Sequence, residues 1–133
     1  MQSMQSMQSA QRAESSLVGG ALAGLDPKDP HYATSVVDRL LAAGREHGAS
    51  DLHVQPTGAG LEVKLRVDGV LQPAALLPLA IAPNVIARLK VQAQLLTYRT
   101  DLPQEGRIRL PDCDVAMRVS PFPTLYGERA VIR

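Results

Sequence analysis

Hydrophobic residues recur along this chain with two different periods, one typical of helices and the other typical of strands. Between Tyr32 and His47 they recur every three or four positions, the spacing that brings apolar side chains onto one face of an α-helix. Gly48 follows this stretch and indicates the end of the helix, because glycine readily takes the left-handed conformation found there. The apolar face predicted for this helix comprises Ala33, Val36, Val37, Leu40 and Leu41.

A second helix is expected to begin at Pro83, because a proline in the first helical turn loses no hydrogen bond. Its apolar residues again follow a helical spacing, and its polar residues are predicted to lie off that face. The predicted apolar face is Val85, Ile86, Leu89, Ala93 and Leu96, and the residues predicted to lie off it are Arg88, Lys90, Gln92 and Gln94.

Strict alternation of apolar and polar residues predicts strands between the two helices. Residues 61–68 alternate without a break, which is the pattern of a half-buried strand, and residues 50–55 alternate over a shorter length. Asp68 and Gly69 form the dipeptide preferred in a tight hairpin turn, and Val70 begins the return strand. This region is therefore predicted to form a β-hairpin.

The last third of the chain contains two more alternating segments and a final strand. Residues 107–110 and 115–119 alternate, and Pro111–Asp112 between them is predicted to form a turn. Residues 128–133 are expected to form another strand, which the end of the sequence interrupts without a turn or a cap. We therefore predict an α+β domain in which two helices cover one face of a mostly antiparallel sheet.

The length of 133 residues allows one domain and a tail. The first nine residues repeat Met-Gln-Ser three times, and glycines and prolines keep the sequence irregular up to about His31. Residues 1–30 are therefore predicted to be a flexible tail or linker, and residues 31–133 to be the folded domain.

Charge and composition exclude several classes of function. The chain carries 14 Lys and Arg against 13 Asp and Glu, so no net field attracts it to nucleic acid, and aromatic residues for base stacking are few. The longest apolar stretch, near residues 74–82, is too short to cross a bilayer, and the N-terminus does not resemble a signal peptide. Cys113 is the one cysteine, so no intrachain disulfide can form. These features predict a cytoplasmic domain without membrane insertion or nucleic-acid binding.

Motifs of catalysis and metal binding are absent from the sequence. It contains no glycine-rich phosphate-binding loop of the type Gly-x-x-x-x-Gly-Lys-Ser/Thr, so the chain alone is not expected to hydrolyse ATP. His31, His47 and His53 fit no zinc-ligand spacing with Cys113, so no metal site is predicted. We interpret the three histidines as surface or sheet residues.

Arginine usage is the feature that points towards a ligand. After Lys90 every basic residue is arginine, whose planar guanidinium can bind phosphate through two parallel hydrogen bonds. The alternative is that these side chains pair with nearby carboxylates on a solvated sheet face. The arginines are Arg99, Arg107, Arg109, Arg118, Arg129 and Arg133, and the carboxylates are Asp101, Glu105, Asp112, Asp114 and Glu128.

Six short blocks resemble the signature motifs of the traffic ATPases of type II secretion and type IV pilus assembly, in the same order and over about residues 33–133. Residues 48–56 (GASDLHVQP) resemble the family's GASDIHIEP, and residues 63–71 (VKLRVDGVL) resemble its VRFRIDGVL. The remaining blocks are 87–91 (ARLKV, family SRIKV), 102–108 (LPQEGRI, family LPQDGRI), 117–120 (MRVS, family LRVS) and 126–133 (YGERAVIR, family HGEKVVLR).

The resemblance implies a PAS-like domain that is joined to a RecA-like ATPase domain and assembles into a cytoplasmic hexamer. ATP and Mg²⁺ would be bound by the full-length protein and not by this fragment. By motif position, Arg107 and Arg118 are the residues expected to reach the nucleotide phosphates, whereas Arg66 and Arg133 are expected in structural pairs. The implied partners are its own C-terminal ATPase domain, neighbouring subunits, and platform proteins at the inner face of the inner membrane.

Two alternatives remain open from the sequence. The same fold would serve as a stand-alone interaction module that docks on a secretion ATPase or on an inner-membrane platform protein. It would also serve as a small-molecule sensor of the PAS type, although no residue in the sequence defines a ligand for it.

Overall fold

The computed structural model of the chain describes residues 19–109 and 116–133. The described helices are α1 (Gly19–Leu22), α2 (Tyr32–Glu46) and α3 (Ala82–Gln92), with a single 3₁₀ turn at Leu79–Ile81 directly before α3. The described strands are β1 (Asp51–Thr57), β2 (Gly60–Val67), β3 (Val70–Leu77), β4 (Gly106–Arg109), β5 (Ala116–Thr124) and β6 (Gly127–Ile132).

The strands form one sheet in the order β3-β2-β1-β6-β5-β4, and every neighbouring pair is antiparallel. Helices α2 and α3 pack against one face of this sheet, while the other face carries the polar residues of the alternating strands. We call these the inner and the outer face. The predicted α+β architecture, with helices on one face of an antiparallel sheet, is confirmed.

The hairpin between β2 and β3 has the turn that its sequence indicates. Val67 pairs with Val70, and both intervening residues have positive φ angles, 52° at Asp68 and 79° at Gly69. Two positive φ angles define the type I′ turn, whose twist matches that of the flanking strands. The predicted hairpin is therefore confirmed, including its turn residues.

Strand β5 is longer than the alternation predicted, and it pairs with the antiparallel strands on both sides. It continues past Val119 to Thr124 and returns as β6, which confirms the predicted final strand. The sequence does not predict this extension because it contains Pro121 and Pro123. Proline has no N–H to donate to a strand partner and so argues against a strand. Strand β4 pairs only with residues 116–119, so the prolines lie where one edge of β5 has no strand partner. The predicted turn at Pro111–Asp112 lies outside the described residues.

The core lies between the inner face of the sheet and the two long helices. The four larger members of the face predicted for α2 are buried, and so are Val85, Ile86, Leu89 and Ala93 of the second predicted face. Strand residues that point inwards complete the core, among them Leu52, Val54, Leu61, Val63, Leu65, Val119, Ala130 and Ile132.

Two predictions for the second helix are wrong. Leu96 was placed on the apolar face but is exposed, because α3 ends at Gln92 and Gln94 takes a left-handed φ of 59°. The N–H groups of Gln94 and Leu95 bond back to the carbonyls of Val91 and Lys90, the pattern of a Schellman cap. Lys90 was placed off the apolar face but is fully buried. Its ammonium group forms an ion pair with the carboxylate of Glu128 on β6.

Residues 19–30 are more closely associated with the domain than an irregular tail. Helix α1 is one turn long, and Leu22 and Leu25 pack against the core. Arg39 of α2 donates a hydrogen bond from Nη1 to the carbonyl of Ala21 at 2.8 Å. Residues 1–18, including the Met-Gln-Ser repeats, lie outside the described residues, so the domain boundary near residue 31 stays a prediction. None of the helices within residues 19–109 and 116–133 has the length and apolar character needed to cross a membrane.

Candidate functional site

Arg107 and Arg118 lie directly opposite each other on the outer face of the sheet. Arg107 of β4 is the register partner of Arg118 of β5, and both side chains are exposed. Their neighbours along each strand, Ile108 and Met117, point into the core. The alternation of the two strands therefore places the two guanidinium groups on the same solvent-facing surface, as the period of two requires.

A third arginine continues this line on the next strand. The N–H of Arg118 donates to the carbonyl of Arg133 at 2.9 Å, and the N–H of Arg133 donates to the carbonyl of Arg118 at 2.9 Å. Two residues that exchange both backbone hydrogen bonds are directly opposite and carry their side chains on the same face. We call Arg107, Arg118 and Arg133 the arginine row.

Acidic side chains neutralise this row only in part. Glu105 Oε1 lies 2.9 Å from Arg118 Nε, but both side chains are more than half exposed, so the pair contributes little stability. Among the described residues, no side chain forms an ion pair or hydrogen bond with the guanidinium of Arg107 or Arg133. The pairing expected for Arg133 is therefore not seen within the part of the chain that the structure describes. Asp112 and Asp114, and the side chain of Arg109, lie outside it.

Like charges placed directly opposite each other in a sheet destabilise it. The arginine row has this arrangement twice, across β4–β5 and across β5–β6. An anion with several oxygens would remove the repulsion and use the planar forks of the guanidinium groups. The row therefore has the chemistry of a phosphate-binding surface.

Next to the row, Asp51 organises a separate cluster at the start of β1. Its Oδ2 lies 3.0 Å from Arg66 Nε and 3.1 Å from His53 Nε2. Partial burial alone would raise the pKa of the Asp51 carboxyl, but hydrogen bonds from His53, Arg66 and Ser50 and the charge of Arg66 hold it below its usual value. Arg66 therefore has the structural pairing that the sequence predicts.

Lys90 is the buried charged residue of the described chain, with 1% of its surface exposed. Its Nζ lies 2.6 Å from both carboxylate oxygens of Glu128 on β6 and donates to the carbonyl of Arg99 at 2.7 Å. The Glu128 side chain is 8% exposed. This ion pair joins α3 to the sheet and to the loop that leads to β4. Sequence periodicity missed it because a lysine at this position ordinarily faces solvent.

Gln104 fixes the same loop from the other side. Its Oε1 accepts from the N–H of Leu96 at 2.9 Å, and its Nε2 donates to the carbonyls of Leu96 and Arg99 at 3.0 and 3.2 Å. Its own N–H donates to the carbonyl of Pro121 on β5. Gln104 is thus bonded through its side chain to the loop after α3 and through its backbone to β5. These bonds fix the chain directly before Glu105 and β4.

Gly106 brings the start of β4 close to the end of α3. A Cβ at this position would lie 2.5 Å from the carbonyl oxygen of Ala93 and 2.9 Å from Leu95 Cδ2, so no other residue fits without displacing the backbone. Lys90, Gln104 and Gly106 together fix the chain immediately before Arg107. The arginine row therefore rests on a well-anchored framework, although its side chains are exposed.

A cavity of about 620 Å³ lies at the opposite end of β6, between the start of α3 and the β5–β6 turn. The turn residues Leu125 and Tyr126 are 91% and 55% exposed, and Tyr126 lines the cavity. Exposed apolar side chains beside a cavity favour contact with another protein surface.

Comparison with known proteins supports the motif resemblance. The family described as "Type II/IV secretion system protein" matches residues 27–133. The chain is 36% identical over 107 residues to the type IV pilus assembly ATPase PilB of Thermus thermophilus, and 38% identical over 109 residues to a protein of the same name from Acinetobacter baylyi. It is 38% identical over 100 residues to the type II secretion system protein E of Xanthomonas campestris.

These matches cover most of this chain but a small part of each relative. They span 79%, 80% and 74% of this chain, and 12%, 19% and 18% of the three relatives respectively. The chain is therefore similar to one segment of much longer proteins.

Proposed function

This chain belongs to the type II/IV secretion system protein family, and from that membership we propose that it is a non-catalytic domain of a hexameric secretion or pilus assembly ATPase. In this proposal the domain precedes the ATPase domain and has the PAS-like fold of the family. It supplies Arg107 and Arg118 to the phosphates of a nucleotide bound by that ATPase domain. Its movement towards and away from the nucleotide couples ATP turnover to domain motion.

The observation that carries this proposal is the placement of Arg107 directly across from Arg118 on an exposed face. Arg107 has no ion-pair partner within residues 19–109 and 116–133, and Arg118 has one that is solvent-exposed. A structural pair would bury or neutralise these charges. Two exposed guanidinium groups on a common surface, with one solvent-exposed carboxylate as their partner among the described residues, instead fit an anion that arrives from outside the domain.

The arrangement can act on a nucleotide in the following way. When the domain closes on a neighbouring ATPase domain, the guanidinium groups enter a site from which water is largely excluded, and their attraction to phosphate oxygens increases. The weak contact between Glu105 and Arg118 is then exchanged for a stronger contact with phosphate. Positive charge beside the transferred phosphoryl group stabilises its transition state. The ATP and Mg²⁺ are held by the full-length protein, and this domain contributes only the arginines.

The proposed partners follow from the family membership. They are the C-terminal ATPase domain of the same chain, neighbouring subunits of the hexamer, and platform proteins of the secretion or pilus machinery. We place the assembly in the cytoplasm, with recruitment to the inner face of the inner membrane through the platform proteins.

ATP hydrolysis and nucleotide affinity, measured on this chain and on the protein extended beyond Arg133, test the proposal. We expect hydrolysis by the extended protein only, because this chain lacks a phosphate-binding loop. Hydrolysis by the 133-residue chain itself would contradict the assignment of a non-catalytic domain.

A second candidate is a stand-alone interaction module, which the exposed Leu125 and Tyr126 beside the cavity favour. In that case the domain would bind a separate secretion ATPase or a platform protein through this turn. A continuous reading frame from Arg133 into a phosphate-binding loop would exclude this candidate, and a reading frame that ends without one would favour it.

A further inference from the structure

The arginine row contains one member that the motif resemblance assigned to a structural pair. Arg133 is joined to Arg118 by two reciprocal backbone hydrogen bonds, in the same way that Arg107 faces Arg118 on the other side. Neighbouring strands lie about 4.8 Å apart, so the three backbone positions span roughly 10 Å across the outer face. Long arginine side chains from these positions can converge on one polyphosphate.

Outside the arginine row, three arginines of the described sheet and its loops have partners that Arg133 lacks. Arg66 is bound to Asp51, and the guanidinium of Arg129 lies over the Phe122 ring, 3.8 Å from its centroid. Arg99, in the loop before β4, is bound to Asp101. Within the part of the chain that the structure describes, the guanidinium of Arg133 has no hydrogen bond or ion pair.

The carboxylate nearest along the sheet is already engaged. Leu52 of β1 pairs with Ile132, so Asp51 stands at the adjoining position beside Arg133. Its carboxyl is held by Arg66 and His53, and these contacts keep its pKa low. Arg133 is therefore next to an acid that binds other residues, and no side chain within residues 19–109 and 116–133 pairs with its guanidinium.

We propose that Arg133 is a third phosphate-binding residue of the site formed by Arg107 and Arg118, and that it binds the terminal phosphates of a nucleoside triphosphate. This inference rests on the proposed function, since it adds a residue to the same site. Three guanidinium groups around one polyphosphate can donate more hydrogen bonds than two. The third group therefore strengthens the discrimination between a triphosphate and a diphosphate. A lysine at this position would keep the charge but lose the two-point contact.

The test uses the full-length protein, continued through its ATPase domain, with Arg133→Ala and Arg133→Lys. Steady-state ATP hydrolysis would be measured together with the affinities for ADP and for a non-hydrolysable ATP analogue. We expect Arg133→Ala to lower kcat/KM for ATP about tenfold and to lower the affinity for the ATP analogue by a similar factor, while the affinity for ADP changes less than about twofold. Arg133→Lys should recover part of the loss.

Arg129→Ala is the matched control, because Arg129 lies on the outer face of the same strand but outside the row. It removes the same charge, and it should leave ATP and ADP affinities unchanged. Arg107→Ala serves as the reference for the proposed function. Melting temperatures of all variants separate loss of a ligand from loss of the fold.

The outcomes are distinct. If Arg107→Ala lowers turnover while Arg133→Ala behaves like Arg129→Ala, Arg133 is not a phosphate ligand and the proposed function stands. If neither Arg107→Ala nor Arg133→Ala changes turnover, the proposed function itself fails. If Arg133→Ala lowers the affinities for ADP and for the ATP analogue equally, the inference is overturned. It is also overturned if the melting temperature falls in parallel with activity, because the role of Arg133 is then structural.

Discussion

At the scale of single residues, the chemistry of this domain depends on which charges are paired and which are left unpaired. Asp51 is shared by Arg66 and His53, so three side chains of β1 and β2 are bound to one another. On the adjoining strands, the three guanidinium groups of the arginine row have one carboxylate partner among the described residues, the exposed Glu105 bound to Arg118. The outer face thus has a self-contained cluster beside a row that is available to an external anion.

The Asp51 cluster predicts how stability depends on pH. The folded pKa of Asp51 is lowered, so its stabilising effect is complete above the unfolded value of about 3.9 and is lost as the pH falls through the folded value. We expect Asp51→Asn to lower the free energy of unfolding by about 1 kcal/mol at neutral pH. Below about pH 4 the difference between the variant and the original protein should shrink towards zero.

Urea denaturation across pH 3–7 measures this difference, with Asp68→Asn as its control. Asp68 is exposed in the hairpin turn, where asparagine tolerates the positive φ equally well. A difference for Asp51→Asn that does not shrink at the acid end of this range would show that the carboxylate charge is not what stabilises the cluster.

At the scale of elements, the loop between α3 and β4 is held by the buried Lys90–Glu128 pair and by Gln104. The pair crosses from helix to sheet at 2.6 Å, and the Lys90 ammonium also binds the carbonyl of Arg99 in the loop. A buried ion pair is weak evidence for net stabilisation, but the loss of one partner leaves the other charged and unsolvated. Removal of either Lys90 or Glu128 alone should therefore destabilise the loop between α3 and β4, which precedes Arg107.

Lys90→Met should lower the free energy of unfolding by about 3–5 kcal/mol, because Glu128 would remain buried without a partner. Lys90→Met combined with Glu128→Leu should be less destabilised than Lys90→Met alone, since the double variant removes both charges. Denaturant unfolding of the single and double variants measures the coupling. Lys64→Met is the control, because its pair with Glu62 is long, 3.8 Å, and exposed. Additive losses, or a loss for Lys90→Met as small as that for Lys64→Met, would contradict the account.

The sequence predicts these elements to different extents, for physical reasons. Gly48 indicates the end of α2 in the sequence, because glycine readily takes a positive φ. Gln94 takes the same conformation at the end of α3, but glutamine does not indicate a helix end. Lys90 appears as a surface residue because periodicity cannot reveal a buried partner 38 positions away. The exposure of Arg107 and Arg118, in contrast, follows from simple alternation.

At the scale of the whole molecule, strand order determines what the outer face can do. The alternating segments predict strands and their hairpins, but local patterns do not predict that β6 inserts between β1 and β5. This insertion places Arg133 next to Arg118 and Asp51 next to Arg133. The third member of the arginine row is therefore a consequence of long-range pairing, which motif position alone does not show.

The central claim is that Arg107 and Arg118 act together on the phosphates of a nucleotide bound elsewhere in the full-length protein. A double-mutant cycle on ATP turnover tests it most directly, with Arg107→Ala, Arg118→Ala and the double variant, each checked for an unchanged melting temperature. We predict that each single variant lowers kcat at least about tenfold, and that the double variant loses less than the product of the two single losses, because both residues serve one group. Normal turnover in both single variants would contradict the account and would return the two arginines to the solvated surface of the sheet.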